Sequence, residues 1–185
     1  FLNGRKVMPP GEAVDRVKAA LDARGNPDFL IIARSDADAV SDAEMIARCN
    51  LYLAAGADMA FPIFLSVGGQ SWYALSPGQQ EAVLGGAVRR ITGRVVYRGA
   101  PVPPLMTRDG VAECGWSVVL DATVCFSAAS NAVAAALGEL KATGARREHT
   151  ARNPGPYHDG LEFMRLLDLD RFVATEQRFT PPHKD

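Results

Sequence analysis

Apolar and polar positions alternate between two periods along this chain. Val14, Val17, Ala20 and Leu21 recur at helical spacing from Glu12 onward, and Gly25-Asn26-Pro27 supplies a cap residue and a breaker, so a helix is expected up to that point. The next segment has no such spacing. Phe29 to Ala33 is apolar without alternation, the pattern of a short parallel strand covered on both faces. Ser41 and Glu44 form a capping box ahead of a second amphipathic helix, which carries Ile46, Leu51 and Leu53 as far as Ala55-Gly56. Ala57 to Phe64 then reads as a second buried strand, with Pro62 near its end, where a missing donor costs least.

Residues 65–75 read as a loop containing Gly68-Gly69 and Trp72-Tyr73. The Gly-Gly pair lacks the spacing of a phosphate loop and predicts a turn. Ser76-Pro77 opens a third helix, with proline at its first position, running to about Ile91. Strands at Arg94–Tyr97 and Trp116–Leu120 flank a short helix at Thr107–Cys114, and an alanine-rich helix runs from Ser127 to Thr143. Arg146–Asp159, punctuated by Pro154, Gly155 and Pro156, predicts a flexible link, and a last helix runs from Gly160 to Phe179. The expected organisation is one α/β body over residues 1–145, a link at 146–159 and a C-terminal helical segment at 160–185. Four strands alternating with helices, at about thirty residues per unit, are the βα repeat of an α/β fold with right-handed parallel crossovers. Such a count suits either a small open sheet or half of an eight-stranded barrel. The half-barrel would leave two apolar strand edges unpaired.

Composition narrows the function classes. A chain of 185 residues suffices for one domain with a sizeable core, and a net charge of −1 gives no electrostatic basis for binding nucleic acid or an anionic membrane. No apolar run reaches the length of a membrane span, and no signal-peptide pattern opens the chain. Cys49, Cys114 and Cys125 are far apart and form no CxxC pair, so they read as buried free thiols in a reducing compartment, which points to the cytoplasm. His149, His158 and His183 have no ligand spacing and read as solvated.

Candidate chemistry gathers where the Phe29–Ala33 run stops, at Arg34-Ser35-Asp36. Charges at the carboxyl end of a parallel strand lie on the rim where open sheets and barrels build their sites. A local Arg–Asp pair on a solvated strand end accounts for the same residues. Tyr97, Arg98 and Asp121 also fall at expected strand ends, as further polar lining or as solvated loop residues.

Asn3-Gly-Arg-Lys, Asp22-Ala-Arg-Gly-Asn-Pro-Asp28, Phe29-Leu-Ile-Ile-Ala-Arg-Ser-Asp-Ala37 and Ala54-Ala-Gly-Ala-Asp-Met-Ala-Phe-Pro62 resemble the isocitrate lyase and phosphoenolpyruvate mutase superfamily, in particular its 2-methylisocitrate lyase-like branch. The resemblance continues through Pro104-Leu-Met-Thr, the Trp116–Leu120 strand and the alanine-rich helix. It implies the second half of a (β/α)8 TIM-type barrel, about four βα units, plus a C-terminal helix. By that comparison Phe1 falls just after the histidine of a mobile catalytic loop, and the acidic Mg²⁺ site belongs to the part preceding Phe1, with no metal ligand in this chain.

The implied activity is that of a Mg²⁺-dependent carbon–carbon lyase, or a phosphonate-type mutase or hydrolase, working through an enolate on a small carboxylated 2-oxo or 2-hydroxy acid. Arg34 matches the family's catalytic and substrate-binding arginine; Ser35 and Asp36 beside it, with Asp36 able to orient Arg34, and Tyr97 from its own strand-end position are the further expected substrate-binding residues. The implied partners are a second copy exchanging the C-terminal helix, or a companion N-terminal fragment. Three positions depart from the pattern. Ile63 stands where the lyases have glutamate, Val95-Val-Tyr-Arg98 where they have an asparagine, and Asp121-Ala122 where they have Tyr-Pro. An isoleucine neither hydrogen-bonds nor assists a metal, so a non-catalytic relative that keeps only the anion-binding arginine is the alternative.

Overall fold

Caps and turns written into the sequence set most element boundaries in the computed structural model, which describes residues 4–99, 107–153, 155 and 160–179. Residues 100–106, among them Pro104 of the resembling Pro104-Leu-Met-Thr stretch, and His158, His183 and the tail lie outside the described residues. Helix α1 spans Pro10–Asp22, strand β1 Ile32–Ser35, helix α2 Asp42–Ala54 and strand β2 Met59–Pro62. Two short strands, β3 (Ser66–Val67) and β4 (Gln70–Ser71), precede α3 (Pro77–Val88), β5 (Val96–Gly99), α4 (Arg108–Glu113) and β6 (Val118–Asp121). Four helices follow: α5 (Val124–Thr143), α6 (Arg147–Arg152), α7 (Gly160–Leu166) and α8 (Leu169–Phe179).

The expected alternation of parallel strands with helices is present. β1 pairs in parallel with β2 and β5 with β6, while a bridge from Ala60 to Val95 and the Ala60 N–H donating to Arg94 O at 3.0 Å join the two pairs. Pro62 stands opposite Ser35, and the next residue, Ile63, donates to Ser35 O at 3.0 Å, the regular bond of a parallel pair. Helices cover one face of these strands. Met45, Cys49, Ala60, Leu84, Val95 and Val111 are buried there, together with an aromatic group in which Phe64 meets Trp72 at 5.7 Å and Tyr97 meets Trp116 at 5.4 Å. Ala13, Ala33, Tyr52 and Ala57 form a second cluster under α1.

Several expectations need correction. The first strand lies at Ile32–Ser35, not at Phe29–Ala33: Asn26 Oδ1 accepts from Asp28 N–H at 2.9 Å and Asn26 O from Phe29 N–H at 3.0 Å, so the turn uses up the start of the apolar run and leaves Phe29 66% exposed. Nor is this strand covered on both faces. Its burial alternates, and Ile32, opposite the helical layer, is 43% exposed. The loop at 65–75 contains the β3–β4 hairpin, with Gly68 at φ 55° and Gly69 at φ 81°, the positive-φ pair of a tight hairpin turn. The residues expected to link the helices contain α6, whose N-terminal amides at Glu148 and His149 donate to Glu139 at 2.9 and 2.6 Å. The last helix is broken in two at Asp168, which adopts φ 65°. Of the three thiols only Cys49 is buried, and Cys125 is exposed.

Contacts divide the chain into units at Phe1–Cys125 and Phe126–Asp185, so the division falls before the 145/146 boundary read from the sequence. The first unit holds every strand described above. The second is helical, and it exposes Leu161, Phe163, Leu166, Phe172 and Phe179 on α7 and α8.

Candidate functional site

β1 ends in a cluster of two arginines and two aspartates. Arg34 is the last residue but one of the strand and points away from the helical layer, its side chain 49% exposed. Its Nε donates to Asp36 Oδ1 at 2.6 Å and its Nη2 to Asp36 Oδ2 at 2.9 Å, and the guanidinium carbon lies 5.9 Å from the centre of the Phe61 ring. The fork and the ring together restrict a side chain that would otherwise sweep many rotamers. A guanidinium carries five N–H groups, and among the described residues no hydrogen bond takes those of Nη1, which are left for a ligand. The Asp36 bond raises Arg34's pKa above its ordinary value, against the opposing effect of burial.

Asp36 is the N-cap of a 3-10 turn at Ala37–Ala39, and Ser35, buried, accepts from Ala37 N–H at 3.4 Å through Oγ. Ser35 therefore closes the turn from the helical side. Asp38, within the same turn, has a side chain fully removed from solvent and pairs with Arg5. That pair raises the Arg5 pKa, with burial acting against it. Arg48, also buried, donates to Glu44 at 2.8 Å and to Met8 O at 2.7 Å, so the strap before α1 is held at two points.

A cleft of about 470 Å³ lies beside β1, lined by Lys6, Arg34, Asp36 and Arg48 together with the apolar Ala13, Val17 and Tyr52. Three of the residues singled out from the sequence, Arg34, Ser35 and Asp36, meet here. Tyr97 does not. It is 2% exposed, stacks in the aromatic core, and lines a separate pocket of about 20 Å³ with Ile63, Trp72 and Tyr73. Burial, and after it the charge of Tyr73, pushes the Tyr97 phenol up to about 12. Asp121 accepts from the N–H groups of Thr123 and Val124 at 3.3 and 3.0 Å, a structural use at the start of α5. Arg5, Asp38, Arg48 and Phe61 were not singled out by the sequence, because their partners lie 27 to 40 residues away or across a strand register.

Among the described residues no group of three or more His, Cys, Asp or Glu could hold a metal ion, and both carboxylates at the end of β1 are engaged by arginines. The described residues therefore do not fit a Mg²⁺ site by themselves.

The sequence model for phosphoenolpyruvate phosphomutase matches residues 2–143. The chain belongs to this family. Over 97% of its length it is 29% identical to the chloroplastic carboxyvinyl-carboxyphosphonate phosphorylmutase of Arabidopsis thaliana, half of which it covers. A shorter stretch, 58 residues or 31% of the chain, is 53% identical to the 2-methylisocitrate lyase of Shewanella oneidensis and covers 20% of that enzyme. In three dimensions it is similar to the phosphoenolpyruvate phosphomutase of Streptomyces platensis subsp. rosaceus, with a TM-score of 0.72 and 23% identity over 96% of this chain and 57% of that one. A phosphonopyruvate hydrolase complexed with oxalate and Mg²⁺ gives a TM-score of 0.72 and 24% identity over 95% of this chain and 58% of that one. The chain thus spans about half the length of the plant relative and of these structures. Its phosphomutase-family relatives are lyases, mutases and hydrolases. Among the described residues no helix is long and apolar enough to cross a membrane.

Proposed function

We propose that this chain is the carboxylate-binding half of a phosphomutase-family enzyme that makes or breaks a bond beside an enolate, on a small carboxylated 2-oxo or 2-hydroxy acid. One observation carries the reading: Arg34 is aligned by both oxygens of Asp36 at the carboxyl end of a parallel strand, with Nη1 left for a ligand. With Nε and one Nη2 hydrogen on Asp36, the end-on Nη1 and Nη2 N–H groups can pair with a carboxylate through charge-assisted bonds and stabilise negative charge that spreads into it as an enolate forms. Arg34 itself transfers no proton. Mg²⁺ is expected to be held by residues outside the described ones, and no step is assigned to it. Three free thiols are the basis for placing the protein in the cytoplasm.

Ile63 favours a second reading. It is 2% exposed, directly after β2, and its side chain carries no polar group, which suits an anion-binding relative without lyase turnover.

Calorimetric titration of the full-length protein with oxalate, beside a coupled assay of pyruvate release from 2-methylisocitrate, tests both readings. Arg34→Ala should weaken oxalate binding by about 1.5–3 kcal/mol, the range for a charged hydrogen bond, with Arg34→Lys between the two. Equal affinities in all three proteins would remove Arg34 from the site. Pyruvate release should be slight, and rapid release would remove the second reading.

A further inference from the structure

Asp38 receives hydrogen bonds from two distant parts of the chain. Oδ1 is paired with Arg5 Nη1, while Oδ2 accepts from Arg5 Nη2 at 2.9 Å, from Leu65 N–H at 2.7 Å and from Ser66 N–H at 2.9 Å. A fully buried carboxylate is tolerated only with such a countercharge and such donors. What it fastens is the turn at Ala37–Ala39, and a single residue, Ala37, separates it from Asp36. Asp36 is the cap of that turn, with φ −101° and ψ 22°. Its carboxylate then holds Arg34 by Nε and Nη2.

We propose that Asp38 is a positioning residue for Arg34. By tying the turn to Arg5 and to the loop after β2, it fixes the Asp36 carboxylate that aims the guanidinium. This rests on the reading of Arg34 as the carboxylate-binding residue, but the order at Arg34 is measurable without any ligand.

The test is the hydrogen-exchange rate of Arg34 Nε–H in the full-length protein, followed by NMR and assigned by loss of the signal in Arg34→Lys. Exchange should quicken at least ten-fold in Asp38→Asn, whose amide keeps the shape but lacks the charge that Arg5 needs. Arg5→Gln should do the same and leaves Asp38 intact, which keeps the test available if Asp38→Asn fails to fold. In an Asp36→Asn background, where the fork is already lost, Asp38→Asn should add less than two-fold while still lowering the melting temperature. Unchanged exchange in either folded single variant, with only the melting temperature reduced, would make Asp38 purely structural and overturn the proposal. Oxalate affinity in Asp38→Asn should fall at least five-fold. If the parent and Arg34→Ala bind oxalate equally, the carboxylate reading fails, and the exchange rates still decide the role of Asp38.

Discussion

Cys49 illustrates how burial at a single residue becomes a property of the whole fold. Enclosed in the main core, its thiol is pushed from 9.0 up to about 12 by burial, as the Tyr97 phenol is pushed from 10.0 to about 12. The folded protein therefore keeps two protons that the unfolded chain gives up first. Below pH 9 neither group affects stability. Above the unfolded value and up to about 12, each removes about 1.4 kcal/mol per pH unit, so stability falls as the pH rises. Urea unfolding at pH 8, 10 and 11 should show this decline, and Cys49→Ala should make it shallower. An equal slope in the variant would mean that Cys49 ionises freely in the folded state.

At the scale of elements, side-chain caps place the starts of α2, α3 and α4. Ser41 accepts from Glu44 N–H at 3.1 Å and Thr107 from Gly110 N–H at 3.1 Å. At α3 the cap is reciprocal: Ser76 Oγ accepts from Gln79 N–H at 3.4 Å while Gln79 Oε1 accepts from Ser76 N–H at 2.8 Å. α3 supplies Leu84 and Ala87 to the core, so losing its first turn loosens a buried layer. Ser76→Ala should cost about 1 kcal/mol, seen as a melting temperature lower by a few degrees, and Ser76→Asp should recover most of it. A melting temperature unchanged in Ser76→Ala would show that tertiary packing alone holds this end. The strands lack such markers: β1, β5 and β6 begin two or three residues later than expected, and β2 is shorter by two residues at each end.

For the whole molecule, the apolar surface left open sets the expectation. In the first unit Ile32 and Leu120 are exposed on strands, and β1 pairs on one edge only among the described residues. In the second unit α7 and α8 expose five large apolar side chains already named. Surfaces of that kind are normally covered, either by a companion segment completing the sheet or by a second copy. We expect sedimentation of the isolated chain to report an oligomer or a complex, with the C-terminal helices exchanged between copies. Deleting residues 160–185 should lower the oligomeric state. A monomeric parent, or a deletion variant of unchanged stoichiometry, would rule out the exchange.

By itself the sequence determined the alternation of strands and helices, because apolar periodicity, Ser and Thr caps and Gly or Pro breakers act over a few residues. It also determined the pairing of Arg34 with Asp36, since only Ser35 separates them at a strand end. Tertiary structure alone decided which face of β1 is covered and that Tyr97 belongs to the aromatic core. Both depend on which helix packs above the strand. It also decided the Asp38 contacts with Arg5, Leu65 and Ser66, whose separations of 27 to 33 residues carry no local signal. A strand's apolar run fixes that it is buried somewhere. The direction of each side chain is fixed only when the register and the layer above it are set.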